Sequence, residues 1–525
     1  MAAVFLPVTF ITGSVGVFYK QFGITLAVAI LISAVNALTL CPALAALFLL
    51  PPHHEEDKKA EKKTLMQRFS VAFNAAYDAL VDKYTRAVQF LMNRKVFALA
   101  GVLGFGVALY FLMTSTPSSF VPNEDMGTVF VNVSLPPAST LERTTAVNNE
   151  VDSLIRTIPA VRGTLRITGQ NFLAGAGSAY GMVIVRLKPW DERKDMNNEA
   201  VIKKITALTA HIRAGDIRSI SQPTITGFGA TGGFTFQLQD KGGHTTAEFY
   251  KVAQDFLAKL GKRPEIQFAT TAFNPGFPQY QLTVNVPKVK EAGLTEKDIL
   301  NAMQVFYGGS YASNFNQFGK QYRVMVQADT AYRASPEGLS KIFVRNASGA
   351  MAPITEFVTL KRIYGPESLS RFNLFTAISV NGSPKEGTSS GQALVAIQEV
   401  AQQLPAGYGF EFSGISREEQ GSGKQSLYIF ALSLVFVYLL LSAQYESYIL
   451  PFAVLLSIPI GLSGTYLFAK IFGIDNNIYL QISIIMLIGL LAKNAILIIE
   501  FSLGRRRDHG LSIADAAIEG AKARL

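Results

Sequence analysis

The residue whose chemistry stands out most is Lys493, which lies inside the apolar stretch of residues 478–501. A stretch of this length and composition is typical of a membrane-spanning helix. An ammonium group at such a depth is costly unless it faces the interior of a helix bundle and meets a negative charge. Two interpretations of the counter-charge of Lys493 stay open. Glu500, about 10 Å further along the helix, could form a structural ion pair with it, or the partner is a carboxylate on another helix. Protonation of such a carboxylate would break and remake the pair, and Asn494 lies beside the lysine.

A glycine-rich segment, residues 169–181, carries the second signal. It contains two aromatic residues, Phe172 and Tyr180. Its glycines include Gly169, Gly175, Gly177 and Gly181. Segments of this composition form surface loops, and surface loops often carry function. Two interpretations stay open at this point, a mobile loop without a specific role and a gate beside an apolar pocket.

Motifs for nucleotide or metal chemistry are incomplete. The glycines at 227, 229 and 232 match a dinucleotide-binding spacing, but a predicted strand follows them at residues 234–239 where a helix is needed. They indicate a hinge loop instead. The adjacent His53 and His54 favour chance polar composition over a metal site. We therefore expect no enzyme activity, no bound metal and no cofactor.

The composition is that of a membrane protein with extramembrane domains. Apolar residues make up 49% of the 525 residues and charged residues only 16%, whereas soluble domains carry about 25% charge. The same numbers exclude intrinsic disorder. The one cysteine, Cys41, excludes a disulfide framework and a cysteine zinc site. The net charge of +10 suits either nucleic acid or the cytoplasmic flanks of membrane helices.

Five stretches are apolar enough to cross a membrane, which takes about 20 residues. They are residues 24–50, 96–113, 427–442, 449–468 and 478–501. Residues 2–11 are also apolar but too short, and they lack the basic region and cleavage site of a signal peptide. We expect them to be the end of a helix.

The positive charges flank these spans and predict their orientation. Residues 51–95 hold nine Lys and Arg residues, and Arg505, Arg506 and Arg507 follow the last span. Both segments are expected on the cytoplasmic side, and the four spans between them return the chain to that side. Residues 115–423 then lie outside. We expect no nucleic-acid binding, because the basic excess belongs to membrane topology. The amphipathic helix predicted over residues 64–91 is expected along the inner membrane face.

The outer region is expected to contain small mixed subdomains. Four predicted strands are each followed by a helix with a capping box, in which a hydroxyl and an acidic or amide side chain satisfy the first N–H groups. The strands are residues 128–135, 234–239, 281–286 and 377–380, and the boxes begin at Ser139, Thr245, Thr295 and Ser389. Repeated units of this kind predict α+β sandwiches of the split βαβ type, with helices on one sheet face.

Taken in order, five motifs resemble those of the resistance–nodulation–division efflux transporters, most closely the hydrophobe/amphiphile branch. The motifs are Phe120-x-Pro122-x-Glu124-Asp125-x-Gly127, Trp190-Asp191-x-Arg193, Arg371-Phe372-Asn373, Tyr445-Glu446-Ser447 and Gly489-x-x-Ala492-Lys493-Asn494-Ala495-Ile496-Leu497-Ile498-x-Glu500-Phe501. The last is the most specific. The resemblance covers essentially the whole chain but only the second half of a family member, so we expect a C-terminal-half fragment truncated at both ends.

The resemblance implies an α+β membrane protein, with a polytopic transmembrane α-helical bundle and a large periplasmic region of split βαβ, ferredoxin-like porter subdomains with a docking insertion. It divides the chain into residues 1–50, the end of one transmembrane helix and a complete one; 51–95, a cytoplasmic linker and amphipathic helix; 96–114, a transmembrane helix; 124–228, the first porter subdomain; 229–275 and 369–422, the second; 276–368, the docking subdomain; 423–503, three transmembrane helices; and 504–525, a cytoplasmic segment before a missing helix.

In the membrane helices, the resemblance implies coupling to protons. Lys493 matches the lysine that pairs with two aspartates on another helix in members of the family, and Asn494 matches the residue next to that lysine. That helix is not part of this sequence. The implied activity is the export of amphiphilic drugs in exchange for protons, driven by the proton-motive force without a cofactor.

In the extramembrane region, the resemblance implies a substrate pocket and a switch loop. The pocket positions are Leu165, Ile167, Ile184 and Phe172, and the loop positions include Gly169, Gly175, Gly177 and Gly181. Arg218 and Ile220 stand where aromatic residues are common in the family. This departure changes the pocket chemistry that the family would imply.

The resemblance also implies partners and a location. We expect a homotrimer in the inner membrane of a Gram-negative-type envelope, joined to a periplasmic adaptor protein and an outer-membrane channel, with amphiphilic small molecules and membrane lipid as further partners. Two other functions stay open. One is a membrane-tethered periplasmic binding or scaffold module without proton coupling, in which Lys493 pairs with Glu500. The other is metal-ion export by a sister branch, for which the spans show no cluster of acidic or methionine ligands.

Overall fold

The computed structural model describes residues 2–5, 7–10, 12–49, 65–122, 124–225, 227–228 and 232–524. The linker with His53 and His54 lies outside these residues, as do positions 229–231 of the glycine motif. The α-helices in chain order are α1 (Gly13–Phe48), α2 (Leu65–Asn93), α3 (Lys95–Ser115), α4 (Leu141–Ile155), α5 (Asn198–Thr209), α6 (Thr246–Leu260), α7 (Val286–Glu291), α8 (Glu296–Met303), α9 (Thr330–Arg333), α10 (Ser390–Ala401), α11 (Gly414–Tyr445), α12 (Leu450–Leu455), α13 (Ile458–Ile471), α14 (Ile478–His509) and α15 (Ile513–Ala523).

The strands form several antiparallel sheets outside the long apolar helices. They are β1 (Thr128–Ser134), β2 (Val161–Asn171), β3 (Gly175–Leu187), β4 (Asp216–Ser221), β5 (Phe234–Asp240), β6 (Ile266–Thr270), β7 (Phe277–Val284), β8 (Ser310–Gln317), β9 (Lys320–Val326), β10 (Phe343–Arg345), β11 (Met351–Pro353), β12 (Val358–Gly365), β13 (Ser370–Phe372), β14 (Phe375–Pro384) and β15 (Tyr408–Phe412).

Among the described residues, five helical segments are long and apolar enough to cross a membrane. They are Gly13–Phe48, Lys95–Ser115, Tyr428–Tyr445, Leu450–Ile471 and Ile478–His509. Each of the five predicted spans is therefore helical. Their buried side chains form one cluster that includes Tyr19, Leu441, Val454 and Ile485. The outward side chains stay exposed and apolar, as expected of helices whose other neighbour is lipid.

The start of the chain differs from its prediction. Ala2–Phe5 and Pro7–Phe10 are two short 3₁₀ helices rather than the end of one α-helix. Pro7, the first residue of the second segment, lacks the N–H group that a continuous α-helix would use. Val4 and Phe5 are nevertheless buried against the membrane helices.

The first sheet has the strand order β2-β3-β1-β4, and α4 and α5 cover one of its faces. Alternation along β1 determines which face is covered. Val129, Val131 and Val133 are fully buried against the two helices. Phe130 and Asn132 lie between them in sequence, so they occupy the opposite face of the sheet.

The second sheet has the order β13-β14-β5-β15, with β6 paired to β14. Helices α6 and α10 contribute Phe249, Phe256 and Ile397 to its core. The chain leaves this unit through β7 and returns through β12, which pair with each other. Between them lie α7, α8 and the exposed hairpin of β8 and β9. The predicted mixed class is confirmed at this level. The split βαβ, ferredoxin-like type and the domain boundaries stay predictions.

Helix starts follow the capping prediction in three cases out of four. The boxes that begin at Thr245, Thr295 and Ser389 all form. The fourth was wrong by one residue, because Thr140 caps α4 and accepts from the Arg143 N–H group. The hydroxyl of Ser139 instead donates to the Pro136 carbonyl at 2.7 Å, so it is not available as a cap.

Candidate functional site

The face of the first sheet opposite α4 and α5 carries a row of apolar side chains. Leu165 lies opposite Ile184, and Ile184 lies opposite Phe130. Phe130 in turn lies opposite Ile220. Opposed residues have Cβ atoms about 5 Å apart, so these four side chains cross all four strands side by side. We call them the apolar row.

The neighbouring row on the same face is mixed in character. Ile167 lies opposite Met182, and Asn132 lies between Met182 and Arg218. Residues two apart on a strand share a face, so this row lies directly beside the apolar row. The structure therefore brings the predicted pocket positions Leu165, Ile167 and Ile184 together, and Arg218 and Ile220 lie on the same surface.

Residues 169–181, which were expected to form a surface loop, form a β-hairpin. They belong to the end of β2 and the start of β3, with a short turn between. Gly175 has a φ of 85°, a conformation that favours glycine. Asn171 closes the turn, because its side-chain oxygen accepts from the N–H groups of Leu173 and Ala174 at 3.1 and 2.6 Å. The glycines in the sequence indicated a backbone with conformational freedom, but they did not reveal the hydrogen bonds to Asn171.

Phe172 at the hairpin tip folds back over the apolar row. Its N–H group donates to the Asn132 side-chain oxygen at 2.9 Å, and its ring centroid lies 4.5 Å from that of Phe130. Sequence reasoning missed Phe130. The available signal was an aromatic residue alternating with three valines on β1, which places it on the face away from the helices. The role of this hairpin as a gate stays a prediction.

A cavity of about 500 Å³ separates the first sheet from the second. Arg218 and Ile220 line it from β4, Lys203 from α5 and Phe268 from β6. A volume of this size fits a drug-sized organic molecule. The mixture of apolar walls with a few charged side chains is also that of small-molecule pockets.

A second cavity, of about 370 Å³, lies at the hairpin tip. Leu173 and Ala174 line one side, and Arg218 lines both cavities. Tyr250 and Phe273 contribute an aromatic wall, with ring centroids 6.0 Å apart. The predicted positions 165, 167 and 184 share a sheet face with Arg218 and Ile220, but neither they nor Phe172 are among the described residues that line these two cavities.

Two contacts cross the larger cavity between the sheets, one exposed and one half-buried. Lys203 Nζ lies 2.7 Å from a carboxylate oxygen of Glu386, and the hydrogen bond to this carboxylate raises the pKa of Lys203. The Arg218 guanidinium lies 5.6 Å from the centre of the Phe268 ring. Exposed ion pairs and cation–π contacts are each weak. The two sides are therefore joined by contacts that can break at little cost.

Tyr180 makes a third contact between these regions. Its hydroxyl donates to a carboxylate oxygen of Glu367 at 2.8 Å. Burial, this hydrogen bond and the negative charge of Glu367 raise the pKa of Tyr180 to about 12. The phenol therefore stays protonated at neutral pH, and β3 remains tied to the segment that leads into β13.

A charged pair fixes the point at which the chain enters the first sheet from α3. The Arg193 side chain is 2% exposed and forms a salt bridge with Asp125. The N–H groups of Gly127 and Asn198 also donate to this carboxylate, at 3.0 and 2.9 Å. The Trp190 indole donates to the Asp125 carbonyl at 3.1 Å. The pair thus holds β1 and α5 in a fixed relation.

Lys493 lies on an exposed face of α14, next to the buried Ala492. Within the described part of the chain, no salt bridge joins Lys493 to Glu500, so the structural pair considered above does not form. Asn494 is exposed beside it. Because an ammonium group in hydrocarbon needs a counter-charge, this face of α14 is where a partner carboxylate is required.

The described residues contain no group of three or more His, Cys, Asp or Glu side chains arranged to hold a metal ion. What the structure does contain is an apolar sheet face beside two cavities, in a chain with membrane-length apolar helices. This combination defines a polytopic membrane protein with an extramembrane surface suited to apolar small molecules.

The whole chain, residues 1–525, matches the AcrB/AcrD/AcrF family, and the chain belongs to this family. It is 36% identical over 528 residues to two proteins of Pseudomonas putida, the antibiotic efflux pump membrane transporter ArpB and the toluene efflux pump membrane transporter TtgB. It is 33% identical over 537 residues to the multidrug export protein AcrF of Escherichia coli. These alignments cover 100% of this chain and 50%, 50% and 51% of the relatives. The chain therefore spans about half the length of the curated relatives it matches, and the resemblance to efflux transporters is confirmed.

Proposed function

We propose that this chain exports amphiphilic drugs and other hydrophobic compounds from the inner membrane and periplasm. The observation that carries this proposal is the apolar row beside cavities of about 500 and 370 Å³, in a chain of the AcrB/AcrD/AcrF family. Apolar walls with few polar groups bind many hydrophobic molecules without strict selection. Arg218, which lines both cavities, adds a preference for compounds with an anionic or polar end.

Proton coupling is proposed to act through Lys493. When carboxylates on another helix of the transporter are ionised, the ammonium group pairs with them. When a proton neutralises these carboxylates, Lys493 turns toward other polar groups and the membrane helices shift. The two sheets then move apart or together, and the weak contacts Lys203–Glu386 and Arg218–Phe268 break and form again. The hairpin of residues 169–181 serves as the gate.

The proposed setting follows from the relatives, whose names describe efflux pump membrane transporters. The chain functions in a homotrimer in the inner membrane, with its sheets in the periplasm. A periplasmic adaptor protein and an outer-membrane channel complete the pump. The chain acts as a transporter rather than an enzyme, and the proton-motive force drives it without a cofactor.

The test is drug export from efflux-deficient cells that express the native gene encoding this chain. Lys493→Ala should abolish export while leaving expression intact. The control is Lys470→Ala, because Lys470 lies at the end of α13 and donates to the Ser115 hydroxyl at 3.0 Å. Export is expected to survive this change. Export that survives Lys493→Ala would remove the proposed switch.

A further inference from the structure

The membrane helices meet the sheets at one point, which we call the joint. It comprises the segment after α3, the start of α10, the start of α11 and the turn before α14. The N–H group of Ile478 donates to the Phe120 carbonyl at 3.0 Å, and Ser118 pairs with Asn476 in a short parallel bridge. The Gly391 N–H group donates to the Ser118 carbonyl at 3.1 Å. Backbone bonds therefore connect α3, α10 and α14 directly.

A cavity of about 90 Å³ lies inside the joint. Glu419 of α11 and Asp475 of the turn before α14 are the ionisable side chains among the described residues that line it. Ser390, the first residue of α10, donates a hydrogen bond to a Glu419 carboxylate oxygen at 2.7 Å. One water needs roughly 10–15 Å³ of such space, so the cavity has room for water that carries protons to the two acids.

We propose that Glu419 and Asp475 form a second proton-binding site, at the joint between the membrane helices and the sheets. The two acids face one cavity from different elements, and neighbouring carboxylates resist being ionised together. The pair therefore takes up one proton that both share. Both lie outside the membrane-spanning segments, since the relevant spans begin at Tyr428 and Ile478 and the preceding one ends at Ile471.

The electrostatics of the joint support this site. Burial raises the pKa of Glu419 most, and the negative charge of Asp475 raises it further. The hydrogen bond from Ser390 lowers it, and the net result is a pKa of about 7. Burial also raises the pKa of Asp475. Glu418 and Arg417 precede Glu419 on its own helix. The other described residues that line the cavity carry no charged side chain.

Protonation at this site acts on the sheets through α10. When both acids are ionised, they repel each other and hold the start of α11 away from the turn before α14. When a proton is bound, this repulsion is lost and the two elements can approach. Because Ser390 begins α10, which packs in the core of the second sheet, the movement reaches the cavity between the two sheets. The role in transport rests on the proposed function, whereas the proton binding itself does not.

Infrared spectroscopy of the purified full chain over a pH series centred on 7 tests the proposal. We expect a protonated-carboxyl band that titrates near pH 7 and is lost in Glu419→Gln. The adjacent Glu418→Gln is the matched control and should keep the band. A band that remains unchanged in Glu419→Gln would overturn the assignment.

Two further variants should shift the midpoint of this pH titration in opposite directions. Asp475→Asn removes the neighbouring negative charge, so the midpoint should fall toward the ordinary glutamate range. Ser390→Ala removes the hydrogen bond to the ionised form, so the midpoint should rise. Shifts in the same direction, or none, would contradict the site. Lys493→Ala should leave the midpoint unchanged, which separates this result from the failure or success of export.

Discussion

Arg193 forms a bidentate salt bridge with Asp125, in which two guanidinium nitrogens lie 2.6 and 2.7 Å from the two carboxylate oxygens. The pair connects two sequence motifs that are 68 residues apart. The spacing of charged and aromatic residues in each motif did not reveal what these residues do. The structure shows that the two motifs bind each other, because Asp125 lies where the chain arrives from α3 and Arg193 lies just before α5. Any shift of α3 is thereby transmitted to the first sheet.

Removing Arg193 should destabilise the first sheet strongly. Arg193→Leu leaves the Asp125 carboxylate, which is 24% exposed, without its main partner, and the loss of a hydrogen bond to a charged group costs about 1.5–3 kcal/mol. Denaturant unfolding followed by tryptophan fluorescence measures this, because Trp190 is the only tryptophan and lies at the pair. Lys203→Met breaks an exposed pair and is the control, expected to leave the transition in place. Similar losses in both variants would contradict the assigned role.

The same pair predicts a dependence of stability on pH. Burial alone would raise the pKa of Asp125, but hydrogen bonds from Arg193, Gly127 and Asn198 outweigh it and lower the pKa. A carboxyl whose folded pKa is depressed stabilises the fold above its unfolded pKa of about 4 and loses this effect as the pH falls through the folded value. As the pH is lowered from about 7 to about 3, the midpoint temperature of thermal unfolding should therefore fall more steeply in the wild type than in Asp125→Asn. Equal slopes would show that Asp125 is not the group responsible.

The packing of α13 on α14 depends on a glycine. A methyl group at Gly461 would overlap the Leu491 side chain, whereas one at Gly464 would meet nothing within 4 Å. Gly461→Ala should lower the free energy of unfolding by about 1 kcal/mol, because overpacking outweighs the better helix propensity of alanine. Gly464→Ala carries the same propensity gain without the clash. Melting temperatures in detergent should separate the two variants, and identical values would refute the contact.

The apolar row predicts where a hydrophobic ligand binds. Phe130→Ala removes the ring that contacts Phe172 and should weaken binding of a hydrophobic fluorescent dye about tenfold, as expected for the loss of one aromatic contact and its buried area. Leu300→Ala, on an exposed position of α8, is the control and should bind the dye as the wild type does. Fluorescence polarisation with the purified chain measures both. Unchanged affinity in Phe130→Ala would place the ligand elsewhere.

Features that depend on neighbouring residues were predictable from the sequence. The five spans follow from continuous apolar stretches, and the helices that begin at Thr246, Glu296 and Ser390 follow from short local capping boxes. The fourth box failed because Ser139 could bond either to its own helix or to the Pro136 carbonyl, and spacing does not distinguish these outcomes.

Features that depend on distant residues were not predictable. The glycines of residues 169–181 indicated conformational freedom. The hairpin itself is set by the pairing of β2 with β3 and by hydrogen bonds that the side-chain oxygens of Asn171 and Asn132 accept from N–H groups of its turn. Phe130 and Phe172 meet only because β1 lies between β3 and β4. Glu419 and Asp475 are 56 residues apart in the printed sequence, and nothing in either local sequence pointed to a shared cavity.

The most direct test of the central claim is dye transport in proteoliposomes that contain the product of the native gene, with a pH gradient imposed across the membrane. We expect dye movement that requires the gradient, is lost in Lys493→Ala and is kept in Lys470→Ala. Dye movement that continues without a gradient, or that survives Lys493→Ala, would contradict this claim.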